Sequence, residues 1–189
     1  MRKARAEGYR SRAAYKLLEI STRDRLFNPG ATVIDLGAAP GGWSQVAAQK
    51  VAPGGKVIAV DLLEIAPISN VTVLRGDCRE AGVQAQLVEA LGGKRADVVL
   101  SDLSPNISGI ASADQARAAE LVQVAMDFCR ERLQEKGVLL VKVFQGAEFA
   151  GLLKELKGMF KDVRTLKPAA SRDESRETYL LARGPKGIQ

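Results

Sequence analysis

A lysine stands where lysines are rarely found. Val141-Lys142-Val143-Phe144 puts an amine inside an apolar run, and lysine is almost never fully buried unless it is paired. The plain alternative is an edge lysine that snorkels to water, but a central strand has no nearby edge. Asp102, in Leu100-Ser101-Asp102-Leu103-Ser104-Pro105-Asn106, closes the preceding apolar run. If these two runs are neighbouring strands, the carboxylate and the amine meet at their ends.

A second constellation could bind a ligand. Asp35-Leu36-Gly37-Ala38-Ala39-Pro40-Gly41-Gly42-Trp43 follows the first apolar run and opens a helical pattern. Parallel sheets bind ligands at such strand ends. A dinucleotide fingerprint reads G-x-G-x-x-G, but Ala39 replaces its second glycine and Pro40 follows. Neither Gly-Gly-Lys (54–56 and 92–94) is followed by Ser or Thr, so a Walker phosphate loop is absent. Asp61 ends the second run, where a carboxylate can accept from a ribose diol. Asp77 ends the third, placed to accept from an adenine amino group. Each acid alone reads equally well as a strand-end cap. Together they outline a crevice for an adenosine without a pyrophosphate clamp, which favours S-adenosylmethionine over NAD. Its cationic sulfonium also suits a carboxylate-lined mouth.

The chain contains no histidine, which removes Ser–His–Asp hydrolysis and His-ligated zinc. Cys78 and Cys129 form neither a ligand cluster nor a disulfide framework and read as small buried hydrophobes in a reducing, cytoplasmic setting. The longest apolar runs fall far short of the roughly 20 residues of a membrane span. The arginine-rich N-terminus has no apolar h-region, so no signal peptide is expected.

Seven short β-branched runs must position these residues: Ala31–Gly37, Lys56–Leu62, Val71–Asp77, Ala96–Leu103, Gly137–Phe144, Asp162–Pro168 and Thr178–Gly184. Their near-continuous apolar centres suit strands covered on both faces. Four helical stripes alternate with them: Trp43/Val46/Ala47/Val51, Val83/Leu87/Val88/Leu91, Leu121/Val124/Ala125/Phe128/Leu133 and Phe149/Leu152/Leu153/Leu156/Phe160. A leading helix is expected over about 11–23, with Ser11 as its N-cap and Ala14, Leu17 and Leu18 buried. Leu63–Asn70 holds Pro67 and has room for one or two helical turns at most. Residues 169–177 are too short for a helical crossover, so the last two strands should pair antiparallel. The expected fold is α/β: a mostly parallel seven-stranded sheet with one antiparallel strand near its edge and helices on both faces. A single domain is expected over 1–189, with a basic N-terminal segment 1–10.

Net charge is +6 over 189 residues, and it is uneven. Residues 1–25 hold +5, residues 26–153 hold −3, and residues 154–189 hold +4. Two basic ends flanking an acidic centre suggest a polyanion footprint; solvated tails are the bland alternative. Lys16, beside Arg12 and Tyr15, and Glu177, in Ser175-Arg176-Glu177-Thr178-Tyr179, pass on spacing alone for ordinary surface charges.

These blocks taken together resemble the bacterial FtsJ/RrmJ (RlmE) family of ribosomal RNA 2′-O-ribose methyltransferases. The resemblance runs from Arg10 to about Arg183. It rests on Ser11-Arg12-Ala13-Ala14-Tyr15-Lys16-Leu17, on Val33–Gln45, on Ser101–Asn106, on Val141-Lys142-Val143-Phe144-Gln145-Gly146 and on Ser175–Tyr179. It implies a Rossmann-like methyltransferase fold, S-adenosylmethionine as cofactor, and a uridine of large-subunit (23S) ribosomal RNA as target, presented on the assembled large subunit. The family's catalytic set falls on Lys16, Asp102, Lys142 and Glu177. Its cofactor contacts match Gly41, Trp43, Asp61, Asp77 and Asp102. The wider candidate cofactor wall adds Gly37, Ala38, Pro40, Gly42, Leu62 and Cys78. Members carry a longer basic N-terminal extension than the ten residues that precede the motif here.

Residue types then suggest a mechanism. A ribose hydroxyl is a poor nucleophile, and its proton needs an acceptor that histidine cannot supply here. Lys142 is the candidate. An amine serves near neutral pH only when it ionises well below the ordinary lysine value of about 10.4. Burial and nearby cations such as Lys16 favour the neutral form, while Asp102 favours the ammonium and would orient it. Lys16 is expected to orient the hydroxyl or a phosphate, and Glu177 to hold one lysine. The basic ends should form an RNA groove, with Arg2, Lys3, Arg5, Arg10, Arg12 and Lys16 from one side and Lys167, Arg172 and Arg176 from the other. With 5% aromatic residues, backbone charge should outweigh stacking. No oligomer is required. A transferase acting on tRNA or another RNA, and a non-catalytic RNA-binding module, remain alternatives.

Overall fold

The computed structural model describes residues 2–171 and 176–187. Seven strands form one sheet: β1 (Thr32–Leu36), β2 (Lys56–Asp61), β3 (Val71–Arg75), β4 (Ala96–Ser101), β5 (Leu133–Phe144), β6 (Phe160–Leu166) and β7 (Glu177–Pro185). Their order is β3-β2-β1-β4-β5-β7-β6. All neighbouring pairs are parallel except those of β7, which runs antiparallel to both β5 and β6. The reversed strand is therefore second from the edge. The helices are α1 (Arg2–Ala6), α2 (Ala13–Asp24), α3 (Gly42–Val51), α4 (Ala81–Leu91), α5 (Ala111–Arg132) and α6 (Phe149–Met159). Among the described residues no helix is long and apolar enough to cross a membrane.

Strand alternation divides the core into two layers. Val33, Val57, Val98, Leu100, Val138, Leu140, Tyr179 and Leu181 pack with α2 and α3. Ile34, Leu36, Val99, Leu139, Val141, Val143 and Leu180 pack with α4, α5 and α6. Side chains two apart share a face. Asp35 continues the Val33 face, Asp102 the Val98–Leu100 face, and Lys142 the Val138–Leu140 face. Because Leu100 pairs with Leu140, Asp102 and Lys142 arrive level on the same side of adjacent strands.

Several local expectations need correction. Leu133 and Phe160 do not end helical stripes: each is the first residue of a strand, entered from the preceding helix without a loop. On α5 the buried residues are Ala118, Val122, Ala125, Met126, Phe128 and Cys129; Ala125 and Phe128 are thus buried as expected, while Leu121 and Val124 are only half-buried. Leu18 is likewise half-buried, and Ile20 takes the third buried place on α2. Ser11 is not the cap of α2. Arg12 holds that position without a side-chain bond, and the Ser11 hydroxyl instead abuts Gly42, where any Cβ would collide with it. The glycine thus lets the start of α2 dock on the first turn of α3. Residues 63–70 form no helix. Their carbonyls find partners elsewhere, as backbone acceptors must: the Arg10 guanidinium donates to Ala66 O and Pro67 O, both at 2.6 Å.

Candidate active site

The loop after β1 forms one wall of a crevice of about 500 Å³, within the usual range for small-ligand sites of about 300–1,000 Å³. Gly37 has φ +75°, and a Cβ there would lie 2.8 Å from the Leu103 side chain and 3.0 Å from its backbone. Glycine is needed on both counts: the loops after β1 and β4 meet backbone to backbone. Gly37 N and Ala38 N donate to Val60 O at 2.9 and 3.1 Å. Asp61 fixes the rest of the rim, accepting from Ala39 N at 2.9 Å and Leu63 N at 2.8 Å.

Of the expected cofactor contacts, Gly37, Asp61, Leu62, Asp77, Cys78 and Asp102 line this crevice. Leu62 is 61% exposed and offers an apolar wall to a flat base. Ala38, Pro40, Gly41, Gly42 and Trp43 are not part of the lining. Trp43 is turned into the core beside Tyr179, with its indole N–H donating to Ala13 O at 2.8 Å. A large apolar ring gains more from the α2–α3 interface than from an open rim. Asp77 faces the crevice, but its carboxylate is engaged: Arg79 forks across it with contacts of 2.5–3.0 Å. That bond holds Asp77 below the usual carboxylate range. An adenine amino group would have to share this acceptor.

Behind the loop lies a buried acid to which the motif alone assigns no role. Asp35 is fully buried. Its Oδ2 accepts from Ser44 Oγ at 2.6 Å, and its Oδ1 has no hydrogen-bond partner among the described residues. Burial lifts its carboxyl to about 7; the Ser44 bond opposes this, and the Asp102 and Asp61 charges add to the rise. The folded chain therefore holds a proton that the unfolded chain releases above about pH 4. Stability should fall as pH rises from 4 to 7 and level off above. Against Asp35→Asn, wild type is expected to lose about 2–3 kcal/mol between pH 5 and pH 8. Denaturant unfolding of both at the two pH values checks this, and an unchanged gap contradicts it.

Beside the crevice, whose wall includes Asp102 and Lys142, the four expected catalytic residues come together as two ion pairs. Lys142, 6% exposed, has its amine 3.2 Å from Asp102 Oδ1. It also donates to Asp102 O at 3.1 Å and to Ser104 Oγ. Three acceptors match the three hydrogens of an ammonium. Burial raises the Asp102 carboxyl, and Lys142 pulls it back down. Lys16, carried by α2, pairs with Glu177 Oε2 at 2.9 Å, so the lysine that Glu177 holds is Lys16. The strand register sets this arrangement: Lys142 stands opposite Tyr179, and Phe144 opposite Glu177.

Tyr179 joins the pairs. Its hydroxyl donates to Asp102 Oδ1 at 3.3 Å, and the Lys16 amine stands 5.8 Å from its ring centroid. Burial and the Asp102 carboxylate push its phenol far above the ordinary range. Tyr179 is thus a fixed donor and no base. Sequence reasoning missed Tyr179 and Ser104 as participants. The ring of Tyr179 is buried in the core, and its hydroxyl reaches the site.

Arg10 is no free phosphate contact. Besides the two carbonyls of the 63–70 connector, its guanidinium donates to Pro40 O at 3.2 Å. It clamps the loop after β1 to that connector. Arg5, Arg12, Lys167 and Arg176 are exposed. Arg172 lies outside the described residues, as do the side chains of Arg2 and Lys3. No cluster of His, Cys, Asp and Glu able to hold a metal ion occurs among the described residues.

Residues 9–185 match the FtsJ-like methyltransferase family. A protein of Nitrosospira multiformis named ribosomal RNA large subunit methyltransferase E is 54% identical, covering 98% of this chain and 90% of its own length. Its Pseudomonas aeruginosa namesake is 50% identical over 97% of this chain and 89% of itself. Among solved structures, a Plasmodium falciparum chain described as a ribosomal RNA methyltransferase superposes with a TM-score of 0.86. It is 32% identical, and the match covers 95% of this chain and all of that one. The fibrillarin/Nop5p complex (TM-score 0.61, 20% identity, 94% and 85% coverage) shares the fold. A level Lys–Asp pair at the carboxyl ends of β4 and β5, a glycine-lined acidic crevice beside it and these matches lead to one assignment: the chain belongs to the FtsJ-like methyltransferase family.

Proposed function

We propose that this chain methylates the ribose 2′-hydroxyl of a uridine in large-subunit (23S) ribosomal RNA, with S-adenosylmethionine as methyl donor. One observation carries the chemistry: a buried amine held by a carboxylate and a hydroxyl in the wall of the crevice. The relatives' names supply the substrate class. Asp61, whose carboxylate is held by backbone N–H groups rather than by a cation, suits a donor that brings its own positive charge. When bound, that donor supplies an electrophilic methyl group for in-line displacement.

The chain's own residues do the rest. Asp61 and the Ala39 and Leu63 backbone shape the ribose end, and Leu62 flanks the base. Positioning supplies much of the rate in such a displacement. Lys142 takes the proton of the attacking hydroxyl. Asp102 orients the amine beforehand and stabilises the ammonium afterwards, itself held by Tyr179. Ser104 has a particular aptitude: of the three partners of Lys142 it alone can both accept and donate. It can keep its bond to the amine in either protonation state. Lys16, braced by Glu177, presents a second cation toward the RNA backbone.

A smaller loss is expected for Glu177→Ala than for Lys142→Ala, roughly tenfold against several hundredfold or more in single-turnover rate. Equal losses would place Glu177 in the proton transfer itself. RNA binding should be strongly salt-dependent. If Arg12, Arg176 and one or two neighbours neutralise three or four phosphates, a fourfold rise in salt weakens binding roughly 30-fold. Filter binding to large-subunit RNA reads this, and a flat response contradicts a phosphate-tracking surface.

We propose further that the substrate is the assembled large subunit, that the chain acts as a single-domain monomer, and that it works in the cytoplasm. Labelled methyl donor offered with naked large-subunit RNA, assembled subunits and tRNA tests the substrate. Label on the subunit RNA 2′-oxygen supports the reading. Label on tRNA alone, or none, overturns it.

A further inference from the structure

A second cavity opens beside the two ion pairs. It has about 270 Å³, just below the roughly 300–1,000 Å³ of small-ligand sites, so it suits a single base rather than a stretch of chain. Ser104 and Glu177 belong to its wall; the first also holds Lys142 and the second holds Lys16. Pro105, Ile107 and Phe144 form its apolar sides, and Gln115 and Gln145 bring carboxamides to it. The Phe144 ring centroid is 5.8 Å from the Lys142 amine. That separation leaves room for a ribose 2′-oxygen at hydrogen-bond distance from the amine, about 2.6–3.2 Å, with its base against the ring. A nucleotide with its hydroxyl at Lys142 therefore has its base within reach of Phe144.

The cavity is built rather than incidental. Ile107 is 85% exposed at its rim, yet its loop is pinned: Asp114 accepts from Ser108 N at 2.8 Å, Ser108 Oγ at 2.6 Å and Gly109 N at 3.1 Å. Gln115 is also set in place. Its Oε1 accepts from Ala147 N at 3.4 Å, and its amide rests on Gly146, where a Cβ would lie 2.8–2.9 Å from it. The Ala147 N–H needs an acceptor, which assigns that end of the carboxamide as oxygen and the other as NH₂.

We infer that this cavity receives the base of the acceptor nucleotide, extruded from its stack, and that Gln115 selects uracil over cytosine. This rests on the proposed ribose methylation. A carboxamide of fixed orientation presents a donor to uracil O4 and an acceptor to N3–H. Cytosine offers a donor and an acceptor in the reverse order, so NH₂ would face NH₂. Enzymes that act on an extruded nucleotide read its base edge in this way, against aromatic and apolar walls. Phe144 and Pro105 supply the stacking surface, and Ile107 stands at the mouth.

The test uses the full chain and large-subunit RNA. The labelled nucleotide is mapped first, and a matched RNA carries cytidine there. Wild type should prefer the uridine RNA roughly 5- to 150-fold in single-turnover rate, the range of one base-edge contact. Gln115→Leu should bring the ratio to within about threefold of one, while binding S-adenosylmethionine as wild type does in calorimetry. Phe144→Leu should keep the ratio but raise the half-saturating RNA concentration about tenfold, as lost base stacking does. A wild-type ratio near one, or an unchanged ratio in Gln115→Leu, overturns the inference and leaves ribose methylation standing. Absence of any label in wild type overturns both.

Discussion

Lys142→Ala is expected to lower single-turnover methyl transfer by about 10²–10⁴-fold, the range a positioned base contributes, with S-adenosylmethionine binding retained. The amine is 6% exposed and ion-paired at 3.2 Å, so its removal also leaves a buried carboxylate. The Asp102 carboxyl is already raised by burial and lowered by Lys142. Without the lysine it takes up a proton more readily, which limits the damage to the fold. Lys142→Arg separates charge from basicity. The guanidinium keeps a cation beside Asp102 but does not deprotonate in proteins. Both variants should therefore be slow, the arginine variant without loss of the ion pair. Near-normal rates in either would remove the amine from the proton transfer.

Asp61→Ala is expected to weaken S-adenosylmethionine binding about 100-fold or more. Each carboxylate oxygen already orders one backbone N–H of the rim, Ala39 N at 2.9 Å and Leu63 N at 2.8 Å. Bonds to a charged acceptor contribute about 1.5–3 kcal/mol each, and about 2.7 kcal/mol corresponds to a 100-fold change. Loss of the ribose acceptor would add to loss of the rim. Asp61→Asn keeps one acceptor oxygen and should fall between alanine and wild type. Calorimetry with S-adenosylmethionine reads both. Unchanged affinity in Asp61→Ala would mean that the donor does not sit against this rim.

The legible and illegible parts of the site differ for physical reasons. Lys142 stood out because a charge inside an apolar strand costs free energy unless something answers it, and the answering acid lay at the next strand end. The sheet followed from buried strand centres, and its reversed strand from a connector too short to cross over. Lys16 and Glu177 are 161 positions apart; no local pattern joins them, and only the family motif singled them out. Trp43 shows the opposite limit: the motif marks the residue, but its ring serves the core. Arg10 looked like RNA charge because a sequence counts charges and not their partners. Three backbone carbonyls claim it, at the join between the loop after β1 and the connector after β2. Helix ends were blurred where α5 and α6 run directly into β5 and β6, since Leu133 and Phe160 satisfy both periods at once.

The central claim is that a neutral Lys142 accepts the proton of the ribose hydroxyl. The pH dependence of the single-turnover rate, measured on saturated complexes of wild type and Lys142→Arg, tests it most directly. In wild type the rate should rise with pH, because only an unprotonated acceptor can take the hydroxyl proton. In Lys142→Arg that rising limb should vanish and the rate stay at its floor. The same limb in both proteins, with rates within a few-fold of each other, would contradict the account.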